Sequence, residues 1–226
     1  MDADTVSAAN PHEKILDHFE KEQVPVLLGT QMVAKGLNLK NVTLVGVLEA
    51  DLSLYTGGYR AGETTFNMLT QVVGRAGRGE APGRAIIQTL VPEHQIIRLA
   101  AQQDYEGFYK LELNLRRVQN APPFGDIAAL VLTGPEETAV LRGAVKLRDS
   151  LNACLAGPEY RQEKCTVLGP APCVVPKINY HFRYQLTLRC HMTRPLRRLL
   201  AYLLQQFSKD KANRNVTVFV DVNGFE

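Results

Sequence analysis

Phe66, Leu69, Val73 and Ala76 recur at i, i+3, i+7 and i+10, the spacing of one apolar helical stripe. On the same wheel, at about 100° per residue, Gln71, Arg75 and Arg78 fall within roughly 60° of one another. The pattern predicts a helix that buries one face, presents an amide and two guanidiniums on another, and stops at Gly79. Apolar runs of strand length cover residues 24–29, 42–48 and 83–90. Continuous apolar strands alternating with helices predict a parallel sheet covered on both faces, with ligands gathering beyond the carboxyl ends of its strands. Asn10-Pro11-His12-Glu13 reads as a capped helix start. Residues 93–120 read as one or two helices, whose Tyr105, Phe108 and Tyr109 are either core packing or a stacking platform for bases.

Ala121-Pro122-Pro123-Phe124-Gly125 breaks the helical pattern and marks a domain boundary, dividing the chain into residues 1–120 and 121–226. The second part predicts strand 127–133, helix 135–154, short strand 165–168, strand 184–190, helix 196–207 and strand 216–222. This β-α-β-β-α-β order implies a ferredoxin-like α+β domain.

Composition narrows the class. No run of 18 apolar residues occurs, so no membrane span is expected. The acidic start Met1-Asp2-Ala3-Asp4 is no signal peptide. Cys154, Cys165, Cys173 and Cys190 form no C-x-x-C, which argues against zinc and against a disulfide framework, and for reduced thiols in a cytoplasm. The five histidines have no ligand spacing. Residues 1–120 hold 12 Lys/Arg against 14 Asp/Glu, and residues 121–226 hold 14 against 9. An acidic partner therefore belongs with the second part.

Three groups carry candidate chemistry. Gln71, Arg75 and Arg78 lie beside Gly74 and Gly77, whose bare backbone admits a close ligand. They suit an oxyanion cluster such as a triphosphate, or equally a solvated basic helix end. Lys177, Arg183 and Tyr184, within the stretch 176–184, interleave cations with aromatics, which suits a single strand or an ordinary hairpin loop. Arg194, Arg197 and Arg198 crowd the start of the last helix, where positive charge opposes the macrodipole. They are candidates for an acidic tail.

Gln71-x-x-Gly74-Arg75-x-Gly77-Arg78 resembles motif VI of superfamily 2 helicases. Residues 29–38 (GTQMVAKGLN) followed by 42–51 (VTLVGVLEAD) resemble motif V. The pairing, with Pro92-Glu93-His94, residues 104–109, Pro122-Pro123-Phe124 and Leu168-Gly169-Pro170, is similar to the PriA-type replication-restart DNA helicases over almost the whole chain.

The resemblance implies part of a second RecA-like helicase lobe with a parallel sheet, followed by the α+β ferredoxin-like domain. It makes Arg78 the arginine finger, worth about 10³–10⁵ in rate, sets Arg75 on the same anion, and has Gln71 orient the cleft. Gly36, Asn38 and Gly74 approach nucleotide. Relatives often carry Asp where Asn38 stands, so charge is lost there. Thr30, Gln31 and Lys35 contact the single-strand backbone. The parent uses ATP and Mg²⁺, with zinc held elsewhere in the parent. Its partners are single-stranded and fork DNA, single-strand-binding protein (through Arg194, Arg197 and Arg198) and other primosome proteins.

No G-x-x-x-x-G-K-[S/T] or D-E-x-H occurs in the 226 residues. The expectation is a C-terminal part of a 3′-to-5′ DNA helicase that does not hydrolyse ATP alone. The alternatives are a RecG-like branched-DNA translocase, or a non-catalytic DNA- or protein-binding module.

Overall fold

The computed structural model describes residues 15, 17–19, 21–22, 24–30, 42–56, 58–74, 76 and 82–224. Contacts divide the chain into two compact units, Met1–Leu113 and Asn114–Glu226.

In the first unit, β1 (Leu44–Val47) and β2 (Arg84–Ile87) pair in parallel, Leu44 opposite Arg84 and Val47 opposite Ile87. Between them in sequence runs α1 (Ala61–Val73); α2 (Gln95–Ala101) and α3 (Tyr105–Gln119) follow. Phe66 and Leu69 of α1 pack with Ala50, Ile96, Ile97, Ala100 and Phe108 in one core. Phe66 stacks on Phe108 at 4.0 Å between centroids, the rings 9° from parallel. Phe108 is therefore core, whereas Tyr105 and Tyr109 stay exposed.

Two expectations are corrected. Residues 24–29 form no strand, and Val26 and Leu28 are exposed. An apolar run becomes a strand only where a neighbour supplies the hydrogen-bond ladder, and none of the described strands does so. The first helix ends at Val73, with Gly74 as its C-cap donating its N–H to the Thr70 carbonyl at 2.9 Å. Ala76, next among the described residues, lies in a turn. Two glycines within four residues make continuation costly.

The second unit has the order β3 (Asp126–Gly134), α4 (Glu137–Leu155), β4 (Cys165–Ile178), β5 (His181–Cys190), α5 (Arg194–Lys209) and β6 (Thr217–Val222). The sheet order is β4-β5-β3-β6, and each neighbouring pair is antiparallel. Leu196, Leu199, Leu200, Leu203 and Phe207 of α5 and Val140, Ala144, Leu147 and Leu151 of α4 meet Ala128, Leu130, Leu132, Leu186 and Leu188 from the sheet. That helical and period-two spacing places both helices on one sheet face. Gly143 suits the place where α4 meets Phe207, since a Cβ there would sit 3.2 Å from the Phe207 Cζ, closer than ordinary van der Waals contact.

Strand β4 runs ten residues past its expected end at 168. It is an edge strand, and register shifts fall between Leu168 and Ala171 and between Pro172 and Lys177. Prolines 170, 172 and 176 are tolerated because edges and bulges do not require every N–H. The hairpin loop shrinks to Asn179 and Tyr180, with φ of 47° and 64°, the left-handed pair of a two-residue turn that matches strand twist.

Candidate nucleotide and nucleic-acid sites

Of the helicase-like residues that can be placed, Gln71 and Gly74 lie at the end of α1. Gln71 is exposed in the last turn of α1, and Gly74 is exposed at the cap. A Cβ at Gly74 would meet nothing closer than the Thr70 carbonyl oxygen, at 3.2 Å. The Gly74 N–H is already engaged by the Thr70 carbonyl, and a helix C-terminus carries the negative end of the dipole, so an anion here depends on cationic side chains rather than on the helix end itself. Thr30 is exposed and outside regular structure. Gln31, Lys35, Gly36, Asn38, Arg75 and Arg78 lie outside the described residues.

The carboxyl ends of β1 and β2 are tied by a network that the sequence reading missed. Asp51 is buried, and its Oδ1 accepts from the Leu90 N–H at 3.0 Å. Hydrogen bonds from Thr89 and then Leu90 hold its carboxyl below the usual range, against burial. The Ala50 N–H donates to the Gln88 carbonyl at 3.0 Å, and the Glu49 N–H donates to the Gln88 side chain at 2.9 Å. Asp51 is therefore a structural tie that closes the loop after β1. Asp51 follows β1 while Thr89 and Leu90 follow its neighbour β2, a long-range pairing that no local spacing signals.

The hairpin residues separate. Along β5, alternate side chains take opposite faces. Tyr184 sides with the core residues Leu186 and Leu188, and Arg183 sits on the other face. Tyr184 donates its hydroxyl to Glu137 Oε1 at 2.8 Å, and that bond, with burial and the carboxylate charge, raises the phenol above its ordinary value. Arg183 Nη1 donates to the Val175 carbonyl at 3.2 Å, spanning the wide bulge of β4. Lys177 lies opposite Phe182, its Nζ 4.3 Å from the ring centroid. Tyr180, Val174, Val175 and Ile178 are exposed around it. Lys177 is thus the one member of the predicted trio without a described hydrogen bond, held above a ring near an exposed, partly aromatic tip.

The arginines of α5 also differ among themselves. Thr193 Oγ1 caps the helix by accepting from the Leu196 N–H at 3.3 Å. Arg197 donates from Nε and Nη2 to the Met192 carbonyl at 3.1 and 3.0 Å. Local structure does explain Arg197, contrary to expectation: it fastens the turn entering the helix. Arg194 and Arg198 are exposed.

Around that turn, Asp126 Oδ2 accepts from the Met192 N–H at 2.7 Å and Oδ1 from Asn223 Nδ2 at 2.7 Å. These two bonds, with the Arg197 guanidinium nearby, hold the Asp126 carboxyl below its usual range. No group of three metal-ligating side chains occurs among the described residues.

Comparison with known proteins decides the assignment. Residues 117–224 match the primosomal protein N C-terminal domain, and residues 7–80 match the helicase conserved C-terminal domain. Replication restart protein PriA of Bacillus subtilis is 39% identical over 226 residues, covering 100% of this chain and 27% of that protein. The chain belongs to the PriA family. The PriA protein of Synechocystis is 39% identical over 190 residues, covering 84% of this chain and 22% of its own length. That of Chlamydia pneumoniae is 32% identical over 223 residues, covering 99% of the chain and 29% of itself. The chain thus spans between a fifth and a third of the length of these PriA relatives. Its helicase match encloses both stretches that resemble motifs V and VI, residues 29–51 and 71–78. No described helix is long and apolar enough to cross a membrane.

Proposed function

We propose that the chain acts as part of an ATP-dependent 3′-to-5′ DNA helicase of replication restart. In this reading residues 1–120 serve as part of a second RecA-like lobe, and residues 121–226 serve as a DNA- and partner-binding domain. One observation carries the proposal: a helicase C-terminal match at 7–80 is followed in the same chain by the PriA-specific domain at 117–224. That second match favours restart over a RecG-like translocase. The antiparallel β4-β5-β3-β6 sheet with both helices on one face supports the ferredoxin-like reading of the second unit.

In this proposal Arg78 and Arg75 steady the charge of the transferring phosphoryl group, Gln71 orients the cleft, and Gly36, Asn38 and Gly74 let nucleotide approach backbone. ATP with Mg²⁺ supplies the phosphoryl group. Thr30, Gln31 and Lys35 track the single-strand backbone, joined by Lys177 and Arg183, while Tyr184 is engaged by Glu137. Arg194 and Arg198, with Arg197 beside them, face single-strand-binding protein or another primosome component in the cytoplasm. Zinc belongs to other parts of the parent. No phosphate-gripping loop occurs in these residues, so hydrolysis requires a lobe that carries one.

The test is complementation. A separately produced first lobe, mixed with this chain, gains DNA-stimulated ATP hydrolysis, and Arg78→Ala abolishes the gain. A gain that survives Arg78→Ala refutes the finger. Absence of any gain, with complex formation verified by size-exclusion chromatography, favours a non-catalytic binding module.

A further inference from the structure

Cys165 is the first residue of β4 and Cys190 the last of β5, and the two are direct partners in the antiparallel register. Directly opposed residues on antiparallel strands have Cα atoms about 4.5–5.5 Å apart, with side chains on the same face. A disulfide accepts Cα separations of about 4.4–6.8 Å. Both residues belong to the core face of the sheet, Cys190 buried and Cys165 partly exposed at its rim. Both are free thiols, and each acts on the other's titration, Cys165 lowered and Cys190 raised. The spacing of the four cysteines in the sequence conceals this pair, because 24 residues of hairpin separate its members.

We propose that Cys165 and Cys190 form an oxidisable dithiol that hydrogen peroxide converts to a cross-strand disulfide at the base of the β4–β5 hairpin. The reaction runs in two balanced steps. The Cys165 thiolate attacks one oxygen of the peroxide: the S–O bond forms, the O–O bond breaks, and hydroxide leaves to take up the proton that the thiol had lost. The Cys190 sulfur, giving up its proton, then attacks the Cys165 sulfur: the S–S bond forms, the S–O bond breaks, and water leaves. Two thiols are oxidised by two electrons in all, and one peroxide is reduced to two waters.

The division of roles follows from the site. Cys165 is the thiol the oxidant can reach, and Cys190 beside it favours its thiolate. The same pairing, with burial, holds Cys190 protonated, so Cys190 resolves and does not initiate. The bridge fixes the register at one end of the hairpin whose other end carries Lys177 and Tyr180.

The experiment uses the whole chain. It is treated with hydrogen peroxide, unfolded, alkylated and mapped by mass spectrometry with and without dithiothreitol. Alkylatable thiols are expected to fall by two from four, with one dithiothreitol-reversible peptide joining Cys165 to Cys190. In Cys190→Ser, dimedone is expected to trap a sulfenic acid on Cys165; in Cys165→Ser, Cys190 is expected to remain an alkylatable thiol. Recovery of both residues as thiols in the treated wild-type chain overturns the proposal. So does a bridge from Cys165 to Cys154 or to a second copy of the chain. The wild-type map decides the question even if a serine variant fails to fold.

Discussion

Tyr184 on β5 donates its hydroxyl to Glu137 on α4 at 2.8 Å, so a residue that reads in sequence as a base-stacking aromatic holds a strand to a helix. Tyr184→Phe keeps the ring and removes the bond. The melting temperature is expected to fall slightly, while single-strand affinity, measured by fluorescence anisotropy, stays unchanged. The folded phenol lies above its ordinary value. The bond's contribution is therefore complete below about pH 10 and lost as pH rises through the folded value. In Tyr184→Phe this alkaline loss disappears from a denaturation series against pH.

Lys177 bears on nucleic acid differently. Its ammonium sits over Phe182 at an exposed tip. Lys177→Gln is expected to weaken binding of single strands irrespective of sequence. The slope of log affinity against log salt should fall in magnitude by about 0.7, the value for one phosphate contact on a single strand. An unchanged slope removes Lys177 from the interface.

Asp126 joins the start of β3 to the turn before α5 and to Asn223. Asp126→Ala leaves two donors without that acceptor and is expected to cost about 1–2 kcal/mol in urea unfolding at neutral pH. The folded carboxyl is depressed. Its stabilisation is present above about pH 4 and is lost as pH falls from there through the folded value. The variant and the wild type therefore converge in stability at the acid end of that window.

Arg197 and its two neighbours are expected to separate by readout. Arg197→Ala loses both bonds to the Met192 carbonyl and lowers the thermal midpoint. Arg194→Ala and Arg198→Ala leave the midpoint unchanged and weaken an acidic peptide, measured by isothermal titration calorimetry. Equal thermal effects from all three would refute the distinction.

In the first unit, Phe66 is 3% exposed and stacked on Phe108. Phe66→Ala is expected to cost about 3–5 kcal/mol, the range for emptying a buried aromatic site, read as a shift of the urea midpoint. Tyr109→Ala, at an exposed position on α3, changes it little.

Local pattern alone determined the elements that one chain segment can specify. The stripe Leu196, Leu199, Leu200, Leu203 and Phe207 forces one face of α5 inward, and the alternation of Leu186, Leu188 and Cys190 sets the buried face of β5. The motif VI wording around Gly74 was equally legible, because it needs only residue identities. Tertiary structure decided what depends on a distant neighbour. Residues 24–29 have strand composition but no described ladder, while residues 169–178, with their prolines, fall beyond the expected strand end at 168 and are strand because β4 lies at an edge. Glu137 withdraws Tyr184 from the expected cluster, Met192 engages Arg197, and register brings Cys165 to Cys190. Side-chain periodicity is carried by the few residues of one turn or pleat, whereas pairing, register and the partner of a polar group are set by segments tens of residues away, whose placement no local spacing encodes.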